Sequence, residues 1–108
     1  MSWSASIAKY VIYHYGKRAA ANHARASIIL RDANNSTKGW LFFLGDDQVL
    51  PDANEVDPGN VVYFYKHISE FIGVADTLRN EGPVVLWYTN ANMVTLGTGH
   101  EPVGEEET

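Results

Sequence analysis

Four histidines, His14, His23, His67 and His100, are the side chains of this sequence best suited to holding a metal ion. No two of them stand three or four residues apart, and the chain has no cysteine to complete a site. A zinc ion needs three or four ligands converging at about 2.0–2.3 Å, so ordinary strand and surface histidines are expected instead. A second cluster, Asp46, Asp47, Asp52, Asn54, Glu55 and Asp57, offers the hard oxygens that calcium prefers. Counted from Asp52 as the first position of a calcium loop, Val56 falls where a fifth-position oxygen is required and Asp57 where glycine makes the turn. A solvated acidic loop is the expectation. Motifs for nucleophilic or phosphate chemistry are missing: no G-x-S-x-G elbow, no G-K-[ST] loop and no H-E-x-x-H helix. The run "GTGHE" at 97–101 leads into no helix whose N-terminus could meet a phosphate. Neither an enzyme nor a metal or cofactor site is expected.

What remains is a pairing of aromatic rings with cations. In "YVIYHYGKR", Tyr10–Arg18, strand aromatics run straight into basic residues. Surfaces that bind single-stranded nucleic acid use this combination, with rings stacking on bases and cations following phosphates. The candidate rings are Tyr13, Tyr15, Trp40, Phe42, Tyr63 and Tyr65; the candidate cations are Lys9, Lys17, Arg18, Arg25 and Arg31. Those five cations are the whole charge of residues 1–31, whereas residues 32–108 hold three cations and all thirteen acids. Four of the acids, Glu101, Glu105, Glu106 and Glu107, crowd the last eight residues. The net charge of −5 weighs against nucleic acid, and a basic hairpin steers an acidic protein as readily as it steers a phosphate chain. The expected function is therefore a non-catalytic protein-binding or regulatory module. Its basic N-terminal hairpin would recognise an acidic partner through Lys9, Tyr13, Tyr15, Lys17, Arg18, Arg25, Arg31 and Trp40. Binding of single-stranded RNA or DNA, with the acidic tail competing for the cations, is the alternative.

The elements that must position these residues follow from periodicity. Residues 9–15 have strand composition, and alternation sets Tyr10, Ile12 and His14 on one face and Val11, Tyr13 and Tyr15 on the other. The alanine-rich 17–25 could hold a helical turn, and "ASIILRD" reads as a second strand. "ANNSTKG" reads as a hairpin loop, and "WLFFL", Trp40–Leu44, as a third strand, apolar on both faces. A long connection follows and ends in Asp57-Pro58-Gly59-Asn60, whose proline and glycine positions suit a type II turn. "VVYFYK" is a fourth strand. From Ile68 onward Phe71, Ile72, Ala75 and Leu78 recur at helical spacing, with Ser69 as an expected cap. Asn80, Gly82 and Pro83 stop the helix, and "VVLWY" and "MVTLG" complete the strands. The leading strand order β-β-β-β-α resembles the repeating unit of the Whirly and PUR families. That resemblance implies single-strand binding, although here a hairpin follows the helix.

The fold class expected is α+β and mostly β: a curved antiparallel sheet or partly open barrel, order β-β-β-β-α-β-β, with one helix packed on it. Consecutive antiparallel strands would form a meander. Residues 1–100 would be a single domain, residues 1–8 loosely held, and residues 101–108 a disordered acidic tail. The predicted core is Ile12, Ile28, Leu30, Leu41, Phe43, Val62, Phe64, Phe71, Ile72, Leu78, Val85 and Trp87. Cover for strands that are apolar on both faces would come from curling or from a homodimer pairing sheet on sheet. No apolar run approaches the length that spans a membrane and no secretory signal is visible, so the cytoplasm is the expected compartment.

Overall fold

A computed structural model describes residues 2–16 and 24–99. Eight strands and one helix follow in the order β1 (Trp3–Ile7), β2 (Lys9–His14), β3 (Ala26–Arg31), β4 (Thr37–Leu44), β5 (Glu55–Val56), β6 (Val62–His67), α1 (Phe71–Asn80), β7 (Val84–Asn90) and β8 (Met93–Thr98). The mostly β class, the single packed helix and the expected order of its main strands are all present. No barrel closes among the described residues: the strands divide into two sheets, β1-β7-β8 and β2-β3-β4-β6-β5.

The meander expected from short turns holds for β2, β3 and β4, which pair antiparallel. It fails at β6, which lies parallel to β4 with Trp40 beside Tyr63 and Phe42 beside Tyr65. A parallel neighbour requires a crossover rather than a hairpin, and the long acidic connection supplies it. That crossover carries β5, which runs back along β6, and the Asn54 N–H anchors it by donating to the Ala91 carbonyl at 2.8 Å. The opening residues are not loosely held. Trp3, Ala5 and Ile7 alternate with serines, the pattern of a half-buried strand, and β1 pairs antiparallel with β7 while Trp3 stacks on Tyr88 at 5.8 Å.

The core sits between the inner faces of the two sheets. Ile28 and Leu30 of β3, Leu41 and Phe43 of β4, and Val62 and Phe64 of β6 are buried against Val84 and Leu86 of β7. The sheets approach so closely at Gly39 that a methyl group there would lie 2.8 Å from Leu86 Cδ2. Helix α1 closes one end, where Phe71 meets Phe43 edge-on at 5.0 Å and His14 at 5.0 Å.

Three expected core positions are corrected. Val85 and Trp87 give way to their neighbours Val84 and Leu86, because every residue of "VVLWY" is apolar and alternation alone does not say which set faces inward. Ile72 is 73% exposed, since Phe71, Val74, Ala75 and Leu78 form the inward stripe and Ile72 is about 100° around the helix from Phe71. Ser69 does not cap the helix: it lies in a 3₁₀ turn, Ile68–Glu70, and its N–H donates to Asp46 Oδ1 at 3.0 Å. The turn at Asp57 also differs from type II. The left-handed residue is Asn60 (φ 62°) rather than Gly59, with the Asn60 N–H returning to the Asp57 carbonyl at 3.0 Å. The expected helical turn at 17–25 falls mostly outside the described residues, as does the acidic tail.

Candidate functional site

Alternation along β2, β3, β4 and β6 sets one row of residues inward and the next outward, so the five-stranded sheet has a second, outer face. Two rows cross its middle. Val11, Ile29, Trp40, Tyr63 and Glu55 stand side by side in register, and the next row is Tyr13, Ser27, Phe42 and Tyr65. Four of these rings form one block. Trp40 stacks on Phe42 at 5.5 Å with planes 12° apart and on Tyr63 at 6.4 Å, while Phe42 stacks on Tyr65 at 5.8 Å. None of the four belongs to the core between the sheets, and each is part-exposed. The indole Nε1 of Trp40 is shut off from solvent without a hydrogen-bond partner among the described residues.

Around the block the face is polar at its margins. Tyr13 and Tyr15 are 45% and 42% exposed, and the Tyr15 hydroxyl shares a 2.7 Å hydrogen bond with Ser27 Oγ, which is wholly buried beneath it. On the opposite margin the Tyr63 hydroxyl donates to Asp57 Oδ2 at 3.0 Å. Asp57 Oδ1 also accepts the N–H groups of Gly59 and Val61 at 2.9 and 3.0 Å, so one carboxylate ties the turn to the ring block. The Val61 N–H is the chief reason that the Asp57 carboxyl lies below its ordinary range, with the Tyr63 hydroxyl and Gly59 N–H adding to it against partial dehydration. The same hydrogen bond to Asp57, helped by dehydration and by the nearby negative charges, raises the Tyr63 phenol. Burial, then the charge of Glu55, raises that of Tyr65.

The predicted site residues separate into groups. Lys9, Tyr13, Tyr15, Arg31 and Trp40 share the outer face or its β2 margin. Lys9 and Arg31 are cross-strand neighbours at one end of the hairpin, and Arg31 Nε donates to Thr37 Oγ1 at 3.4 Å. Arg25 is at the other end of β3, about 20 Å away for six residues of strand, so the described cations do not converge on one spot. It lies against Gly45, where an added methyl group would be 3.0 Å from Arg25 Nε. Lys17 and Arg18 lie outside the described residues.

The histidines also separate. His14 packs on Phe71, and His67 Nε2 is 2.8 Å from the Gln48 carbonyl. Among the described residues no three His, Asp or Glu side chains gather as metal ligands would. Sequence reasoning put Val11 on one face with Tyr13 and Tyr15 but did not bring Ile29 and Glu55 to it. The antiparallel register of β5 on β6 places Glu55 beside Tyr63, and only pairing, not composition, reveals it. No described helix is long and apolar enough to cross a membrane. In comparisons with known proteins, the chain matches no family model, no curated protein and no solved structure.

Proposed function

We propose that the protein is a non-catalytic binding module whose working surface is the outer face of the five-stranded sheet. An acidic protein surface is recognised there through the cations of the β2–β3 hairpin. The observation that carries this reading is the block of Trp40, Phe42, Tyr63 and Tyr65 on a face that neither the second sheet nor α1 covers. Part-exposed aromatics massed on one surface are characteristic of interfaces, where rings anchor and flanking charges select. Lys9 and Arg31 at the margin, with Lys17 and Arg18 in the same hairpin, supply the selecting charge. The cysteine-free sequence suits the cytoplasm, where we place the protein.

Single-stranded nucleic acid is the second reading, favoured by the same rings beside the same cations. The stacking within the block argues against it. A base needs the open face of a ring, and here each ring of the block already has a neighbour against one of its faces.

Titration of a fluorescent polyglutamate peptide and of single-stranded oligonucleotides, at low and moderate salt, separates the readings. Peptide binding that weakens with salt and with Lys9, Lys17 and Arg18 changed to Ala is the expected result. No peptide binding even at low salt would remove the acidic-partner reading. Oligonucleotide binding that tightens when residues 101–108 are deleted would put nucleic acid in its place.

A further inference from the structure

The outer face carries its charge across the strands. Lys9 and Arg31 lie on the β2 side, Glu55 and Asp57 on the β5 side, and the aromatic block lies between them. The middle strand of the five is β4, which contributes Trp40 and Phe42. Resting on the binding face argued above and naming its partner, we propose that two copies of this chain pack outer face to outer face. The two-fold axis runs along the strands, above β4.

Rotation about that axis carries the β2 margin of one copy over the β5 margin of the other, and does so twice. Lys9, which is exposed, then lies over the acidic margin of the second copy, level with Asp57 and one row, about 7 Å along the strand, from Glu55, which is also exposed. The acidic partner sought by the basic hairpin is in this arrangement the chain's own opposite edge. A foreign acidic protein would complement only one margin, whereas a second copy complements both, as an isologous interface requires.

Shape agrees with charge. Strand β5 pairs only with Val62 and Tyr63, so the strip beside Tyr65 has no strand along it among the described residues. The rotation brings Tyr13 of the second copy, the most exposed ring of its row, over that strip. Trp40 and Phe42 of the two copies meet near the axis, where ring edges interdigitate at the roughly 10 Å spacing of packed sheets. Four full strands about 4.8 Å apart, rows spanning about 20 Å and the two residues of β5 give a footprint of about 400 Å² per copy before corrugation. Two copies thus reach about 800 Å² before corrugation, under the roughly 1,000 Å² of a tight specific interface, so the association expected is a weak and reversible one.

Sedimentation equilibrium on the full chain between about 1 and 100 µM tests the arrangement. The expected result is a reversible species of twice the 12.0 kDa chain mass, abolished by Phe42→Lys with the circular dichroism spectrum unchanged. Lys9→Glu and Glu55→Lys should each weaken association by about tenfold or more, because each introduces two like-charge pairs per dimer. The double variant, which restores both pairs with the signs exchanged, should associate within about threefold of wild type. A monomer at all concentrations that still binds polyglutamate through Lys9 would overturn the second-copy assignment and leave the binding face standing. A dimer indifferent to Phe42→Lys and to both charge reversals would overturn it as well, by showing that association uses another surface.

Discussion

The two outer faces of this sandwich are built from opposite materials. On the three-stranded sheet Ser4, Trp87 and Thr95 stand side by side in one row, and Ser6, Val85 and Gly97 in the next. Trp87 has small neighbours there; a methyl group at Gly97 would lie 3.5 Å from its ring. On the five-stranded sheet the corresponding rows hold Trp40, Phe42, Tyr63 and Tyr65 packed on one another. Both sheets share one core, so burial demand from inside does not explain the difference. Serine, threonine and glycine make a face that water can cover at little cost. The four rings bury part of their apolar area against one another and leave the remainder to solvent unless something is laid over it. On the function proposed above, one face is finished by solvent and the other by a partner.

Both sheets hang on the same core, and the largest expected effect tests that. Leu86 is fully buried on β7 against Gly39 of β4, so Leu86→Ala should destabilise by about 2–5 kcal/mol in urea unfolding. A loss under about 1 kcal/mol would mean that the sheets are not pressed together, and the two outer faces could no longer be compared as sides of one body. The next effect separates the faces. Trp87, 36% exposed, should cost about 1–2 kcal/mol when changed to Ser, equally at all protein concentrations. For the wild-type chain a tenfold increase in concentration should raise apparent stability by about 1.4 kcal/mol per mole of dimer, about 0.7 kcal/mol per chain, if the aromatic face closes on a second copy. Trp40→Ser should remove that dependence while Trp87→Ser keeps it; the reverse pattern would exchange the roles of the two faces.

Much of this was readable from residue order, and the failures have physical causes. "WLFFL" announced a strand apolar on both sides, and alternation put Trp40 and Phe42 together without any structure. Tyr63 and Tyr65 were grouped in the same way. Joining the two pairs into one block needed the parallel register of β4 and β6, which depends on the course of a 17-residue crossover between Leu44 and Val62 and has no local signature. In β7 five consecutive apolar residues erased the parity signal, so Trp87 was assigned inward when it faces out. Strand β1 was hidden by its serines, although Trp3, Ala5 and Ile7 alternate with them. The candidate cations were correctly seen as concentrated before Arg31, but strand geometry holds Arg25 and Arg31 at opposite ends of β3.

The acidic margin gives a subtler test. Asp57 has a lowered carboxyl pKa in the folded chain, chiefly through the Val61 N–H, so its contribution to stability is fully present above the ordinary value of 3.8. It fades as pH falls below that value and through the lowered folded-state one. The unfolded chain takes up the proton first, and protonation removes the charge that the N–H groups and the Tyr63 hydroxyl favour. Asp57→Ala should therefore lower the thermal midpoint at pH 6, with the gap to wild type narrowing as pH approaches 2.5. A gap that stays constant over that range would show that the carboxylate does not hold the turn, and Tyr63 would lose its anchor at the edge of the aromatic face.

The smallest effect is expected at Ile72. Helical spacing that includes Ile72 with Ala75 would turn α1 so that Ile72 pointed at the core, and Ile72→Ala would then cost about 2–5 kcal/mol. In the fold it is Phe71 that meets Phe43 and His14, while Ile72 is 73% exposed, so the same substitution should cost under about 0.5 kcal/mol. Leu78→Ala, made beside it, should show the full loss of a buried position. If Ile72 proved as costly as Leu78, the helix would present a different stripe to the sheets. Its apolar side would then be free to lie elsewhere, including over the rings of the five-stranded sheet, and the contrast between a finished and an unfinished face would fail at its source.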